Sequence, residues 1–266
     1  MRAAPTLAVA VALLAGLAPL PAQAGPAEEE RQVAMLTARR EGEEAAKRGD
    51  HAACAAAYLR AFEIDSRQDG DELLYNAGVC FELAGEIDPA LAAWRRLGKS
   101  FPRSKMRPRA LVRSGNLLAL VVRFEEAAAA FEEYGDLYGG EKDAREAMSY
   151  AARFRFALGH HRRAIAITRR WIKTYQSKLT PQERARALLF IASVQEEMGD
   201  RRAGLRSLDE AMRTAGGRDP ELAGWIRARK AALEHPPPRE RPATLPERFD
   251  RRGIASDLLG TAPLAD

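Results

Sequence analysis

Apolar residues along this chain fall in helical patterns, clearest between Asp71 and Pro102, DELLYNAGVCFELAGEIDPALAAWRRLGKSFP. Two helices are predicted there, with Gly85-Glu86 as the turn between them and Pro102 as a stop after the second. The small residues Gly78 and Ala90 fall where the two helices of the hairpin cross, with the large apolar residues Leu74, Phe81 and Trp94 around them. Small residues at a crossing let backbones approach closely, and large neighbours fill the remaining space.

This segment resembles a tetratricopeptide repeat, a helix pair of ~34 residues with a Leu-Gly-Tyr pattern in its first helix and an Ala, Phe, Pro pattern in its second. Ala77, Gly78, Phe81, Ala90, Trp94 and Pro102 occupy the matching places, and Ala77 departs by replacing a larger apolar residue. One hairpin cannot bury its own apolar face, so the resemblance implies neighbouring copies. The expected fold is all-α: a right-handed superhelical solenoid of about five such hairpins closed by a C-terminal helix.

The copies are legible with decreasing fidelity. A divergent first repeat is expected over 35–68, with Gly42 at the crossing, Gly49-Asp50 at the turn, and Cys54, Tyr58 and Ala61 on its second helix. The best-formed repeat spans 71–104. A third is expected over 108–141, held by Gly115, Leu118, Ala127, Phe131 and Tyr134, with Val122-Arg123 in place of the usual glycine turn. A fourth, over 145–178, keeps Ala152, Gly159, Ala164 and Trp171 but puts Arg155 in an aromatic's place. The fifth, over 185–218, follows Thr180-Pro181-Gln182-Glu183, the signature of a capping box with Pro at the first helical position. An amphipathic helix over 220–234 would cover the open end of the stack.

The flanks read differently. Met1-Arg2, the apolar run Leu7 to Leu20 and Ala22-Gln23-Ala24 form a secretory signal-peptide pattern, with cleavage expected after Ala24. The run is short for a span and carries Gly16, Pro19 and Pro21, which argues against a membrane anchor. With abundant alanine and arginine, this places the expected destination in the periplasm of a Gram-negative bacterium. From residue 235 onward, His235-Pro236-Pro237-Pro238 opens a polar tail, 235–266, expected to be disordered.

Composition adds limits. The chain has 266 residues, 46% hydrophobic and 30% charged, an ordinary balance for a soluble protein, with aromatic content of 7%. Loss of residues 1–24 would remove one cation, Arg2, from a formal charge of +5. So small an excess, without a concentrated basic stripe, points to no nucleic-acid partner and to membrane contact that is peripheral at most. Catalytic signatures such as Gly-x-Ser-x-Gly, a Gly-rich phosphate loop or His-Glu-x-x-His are absent, so no enzyme activity and no cofactor are expected. Of four histidines, His160-His161 falls on a turn, where both rings are expected to be solvated, and two ligands without a third do not make a metal site.

In the repeat frame Cys54 and Cys80 lie on antiparallel neighbouring helices at similar heights. Either they form a disulfide, which export would permit, or they are two small buried hydrophobes in a close-packed interface.

The resemblance further implies that the first helices of successive hairpins line a concave groove able to hold a peptide. Arg39, Tyr75, Asn76, Arg109, Arg113, Asn116, Arg153, Phe156 and Arg186 are the expected groove residues, with Val79, Ser149 and Leu189 beside them. Guanidinium groups mixed with amides suit an acidic peptide or a C-terminal carboxylate. Some family members grip such a carboxylate with basic and Asn side chains at places matched here by Arg39, Asn76, Arg109 and Arg113, but Glu43 stands where the first Asn would be. The expected function is a non-catalytic scaffold that binds a partner protein or peptide, within a cell-envelope complex. The alternative is a peripheral cell-wall or lipid-associated factor acting through basic helix faces such as Arg162, Arg163, Arg169, Arg170 and Lys173.

Overall fold

The computed structural model describes residues 25–216 and 219–235. The expected signal peptide and the tail from 236 onward lie outside the described residues. Eleven helices follow one another among the described residues: α1 (Pro26–Lys47), α2 (His51–Ile64), α3 (Gly70–Leu83), α4 (Ile87–Ser100), α5 (Met106–Leu120), α6 (Phe124–Leu137), α7 (Ala144–Ala157), α8 (His161–Thr174), α9 (Pro181–Glu197), α10 (Arg201–Ala215) and α11 (Pro220–Glu234). Each packs against its neighbours in the chain, and α3 and α9 also meet α5 and α11, the next helices but one. This is a solenoid of helix hairpins in which each unit buries its apolar face on the next. None of these helices is long and apolar enough to cross a membrane.

The first three hairpins are each closed by a contact between positions sixteen apart. A Cβ added at Gly42 would lie 3.2 Å from the Tyr58 ring, one at Gly78 2.2 Å from Trp94, and one at Gly115 2.6 Å from Phe131. The missing side chain is the space that the aromatic ring occupies. In the last two hairpins the same positions hold Ala152 with Thr168 and Ala192 with Leu208, all buried. A larger residue at the crossing thus goes with a smaller or more slender partner.

The turns follow one rule with one exception. Gly49, Gly85, Gly159 and Gly199 all adopt the left-handed conformation, φ 74° to 78°, directly after the first helix of their hairpins. Val122 holds the same place in the third hairpin with φ 64°. A β-branched residue there is strained, because its side chain crowds the following carbonyl.

Helix α1 begins at Pro26, nine residues ahead of the first expected repeat, and α9 begins at Pro181, where the capping signature places the first helical position, four residues ahead of the fifth. In α9 the extension comes from the cap: Thr180 Oγ1 accepts from Glu183 N at 3.1 Å while Glu183 Oε2 accepts from Thr180 N at 2.8 Å. Two of the otherwise orphaned first-turn donors are thereby satisfied. The closing helix spans the residues expected for it.

The apolar interior comes in two blocks. One runs from Met35 on α1 to Tyr175 after α8; the other joins α9, α10 and α11 through Leu188, Ile191, Leu208, Leu222 and Ile226. Helix α8 serves both, since Ile167 belongs to the first block while Ile165 and Ile172 pack on the second.

Candidate functional site

The expected groove residues lie on α1, α3, α5, α7 and α9, the first helices of the five hairpins. Their charges divide into two groups. Arg39 is held by Glu43 at 3.3 Å and by Asp69 at 2.8 Å, with Glu72 at 3.5 Å. Burial works against its charge, and the bonds to Glu43 and Asp69 more than offset this, leaving the guanidinium above its ordinary pKa. Arg113 donates to Glu82 at 2.8 Å. Arg109, Arg153 and Arg186 instead are exposed and have no carboxylate partner among the described residues.

The uncharged members are partly covered. Tyr75, Asn76, Asn116 and Phe156 are half-buried. Phe156 stacks edge-on against Phe190 of α9, ring centroids 5.7 Å apart, and joins α7 to α9 across the inner row. A ligand lying along these helices would meet three unneutralised guanidiniums, two amides and a few aromatic edges. With Arg39 and Arg113 engaged by carboxylates of their own chain, the four-residue carboxylate grip considered from the sequence keeps Asn76 and Arg109 as its unpaired members.

Cys54 on α2 and Cys80 on α3 are joined in a disulfide, Cα atoms 5.9 Å apart, and the described residues contain no free cysteine. The bridge ties the first hairpin to the second.

His160 is exposed, as expected, with Nδ1 3.4 Å from Glu125, whereas His161 is half-buried with its ring 5.7 Å from that of Phe156. The acidic neighbour comes from α6, distant in sequence. Among the described residues no group of three or more candidate ligands could hold a metal.

Arg155, the cation in an aromatic's place, is explained by a buried ion-pair network. It is 2% exposed, and its Nε donates to Glu132 Oε1 at 2.5 Å while Nη1 reaches Glu125. Glu132, 8% exposed, also accepts from Arg163 Nε and Nη2 at 2.9 and 2.6 Å. The carboxylate of α6 is thus clamped between α7 and α8. Of the outer basic cluster on α8, Arg163 is taken up here and Arg170 is paired with Asp136.

Successive helix pairs packed on their neighbours define a helix-hairpin solenoid. Residues 72–104 match the tetratricopeptide repeat family, so the second hairpin is a repeat of that kind. Solved structures with a similar fold include the MamA protein, 16% identical over 73% of this chain and 96% of that one, TM-score 0.46. Another is YrrB, described as a TPR protein with an unusual peptide-binding site, 15% identical over 76% of this chain and 96% of that one, TM-score 0.45. A third is Naa15/Naa10 bound to HypK-THB, 16% identical over 86% of this chain but only 32% of that one, TM-score 0.57. At these identities the likeness is one of fold. No curated protein matches the chain.

Proposed function

We propose that this chain is a non-catalytic scaffold that holds an extended or helical segment of a partner protein along its inner row of first helices, as part of a cell-envelope complex. The observation that carries this reading is the set Arg109, Arg153 and Arg186. They are exposed on α5, α7 and α9 with no internal carboxylate to neutralise them, in a chain whose other groove cations are paired. Unspent guanidiniums beside half-buried aromatics favour a partner carrying carboxylates. The signal-peptide pattern at residues 1–24 supports an exported, periplasmic setting. The alternative, a lipid or cell-wall factor working through the outer face of α8, has less to draw on because Arg163 and Arg170 are already paired.

The test is affinity capture from native envelope extract, comparing the mature chain with a variant carrying Arg109→Ala, Arg153→Ala and Arg186→Ala. All three residues are exposed, so circular dichroism should show unchanged helicity. A protein retained by the parent and lost by the variant is the expected result. Retention of the same set by both would remove the groove as the binding surface.

A further inference from the structure

The buried network around Glu132 has a counterpart one repeat further on, and there the carboxylate is missing. A shift of 37 residues carries α6 onto α8, and a shift of 40 carries α7 and α8 onto α9 and α10. Glu132 then falls on Arg169, Arg155 on Gln195, and Arg163 on Ala203. Where the third and fourth hairpins place a glutamate between two arginines, the fourth and fifth place an arginine above a glutamine and an alanine.

The result is a cleft of about 600 Å³ between α8 and α10, lined by Arg169, Arg206 and Arg213 over Gln195 and Ser207. Gln195 is 5% exposed and accepts from Ser207 Oγ at 2.7 Å. The carboxylates in the cleft wall are engaged elsewhere: Asp200 caps α10 at Ala203 N, Asp209 pairs with Lys230 at 2.6 Å, and Glu210 pairs with Arg184 at 3.6 Å. Arg169, Arg206 and Arg213 have no carboxylate partner among the described residues. A polar cleft with three unneutralised cations attracts an anion.

We propose that this outer cleft is a second binding site, distinct from the inner groove, which takes a glutamate or aspartate side chain from an acidic peptide segment of a partner. A carboxylate is the group that the same place in the preceding seam already holds, supplied there by Glu132. The partner would supply what the replacement by Arg169 removed.

The probe is a fluorescein-labelled hexaglutamate peptide titrated with the full chain, read by fluorescence anisotropy. Arg169→Glu restores the internal carboxylate and should weaken binding at least tenfold. Arg162→Glu changes net charge equally on the same helix but outside the cleft, and should leave affinity within twofold. All titrations use the groove variant Arg109→Ala/Arg153→Ala/Arg186→Ala as the background, which separates this site from the proposed groove. Equal weakening by Arg162→Glu, or no binding to the background protein itself, would overturn the proposal. Competition by inorganic phosphate but not by glutarate would likewise overturn it by reassigning the cleft to phosphate. Circular dichroism checks that each variant keeps its helicity.

Discussion

The Trp94 indole occupies the place where a side chain on Gly78 would stand, its Nε1 only 2.2 Å from an added Cβ, while its N–H donates to Tyr75 O at 3.2 Å. Alanine in mid-helix normally gains about 1 kcal/mol over glycine. Here that gain is opposed by displacement of a rigid, buried ring and the loss of its hydrogen bond, each ~1–3 kcal/mol. Gly78→Ala is therefore expected to destabilise by about 2 kcal/mol in urea unfolding. Gly98→Ala, where the nearest atom is 3.7 Å away, should be neutral or slightly stabilising. Equal effects of the two would mean that the crossing is not sterically closed.

Val122 is 65% exposed, so its side chain contributes little packing to set against its left-handed backbone. Val122→Gly should relieve strain of ~1–2 kcal/mol, partly offset by the greater freedom of glycine in the unfolded chain, for a net gain near 1 kcal/mol. A rise of a few degrees in apparent Tm is expected. Val122→Ala, which keeps a Cβ, should recover little of it.

Removal of Arg155 leaves Glu132 buried with one partner fewer. Arg155→Ala is expected to destabilise by about 3 kcal/mol, the usual result of breaking a buried pair from one side. The double variant Arg155→Leu/Glu132→Leu should recover most of this, since apolar residues of similar size are tolerated where a whole pair is replaced. Leu118 at the matching place in the third hairpin is already such a residue. Denaturant midpoints of the three proteins check the claim, and a double variant no better than the single would remove it.

The Cys54–Cys80 bridge closes a loop with a sequence separation of 26. A loop of that length gives ~3 kcal/mol in the chain-entropy model. Thiol titration of unfolded, unreduced protein should find none, and reduction should lower the midpoint for the first two hairpins. Two reactive thiols would leave the pair as packing residues only.

Much of the fold was legible because hairpin packing is local. Gly42, Gly78 and Gly115 announce the crossings, Gly49, Gly85, Gly159 and Gly199 the turns, and Thr180 with Glu183 the start of α9. Even Val122 could be placed, since spacing fixed its role where its residue type did not. What stayed hidden depended on contacts between repeats. Arg155 reads as a flaw in the pattern until Glu132 and Arg163 are placed around it, and the acidic neighbour of the exposed His160 stayed hidden because Glu125 comes from another hairpin. Arg39 and Arg113 looked free in sequence, yet Asp69 and Glu82 reach them from α3 and the loop before it. Superposing the repeats by shifts of 37 and 40 would have brought Glu132 onto Arg169 and Arg155 onto Gln195, and that was the available signal for the outer cleft.

The division of the interior at α8 bears on how the chain tolerates change. Because Ile165 and Ile172 face one block and Ile167 the other, α8 acts as a shared wall between two rooms. A lesion in α9, α10 or α11 can melt the far room while the first four hairpins keep their furnishings, leaving those two isoleucines as a newly wetted surface. Length can change at the same place: a hairpin added or lost beside α8 would need only to match one wall.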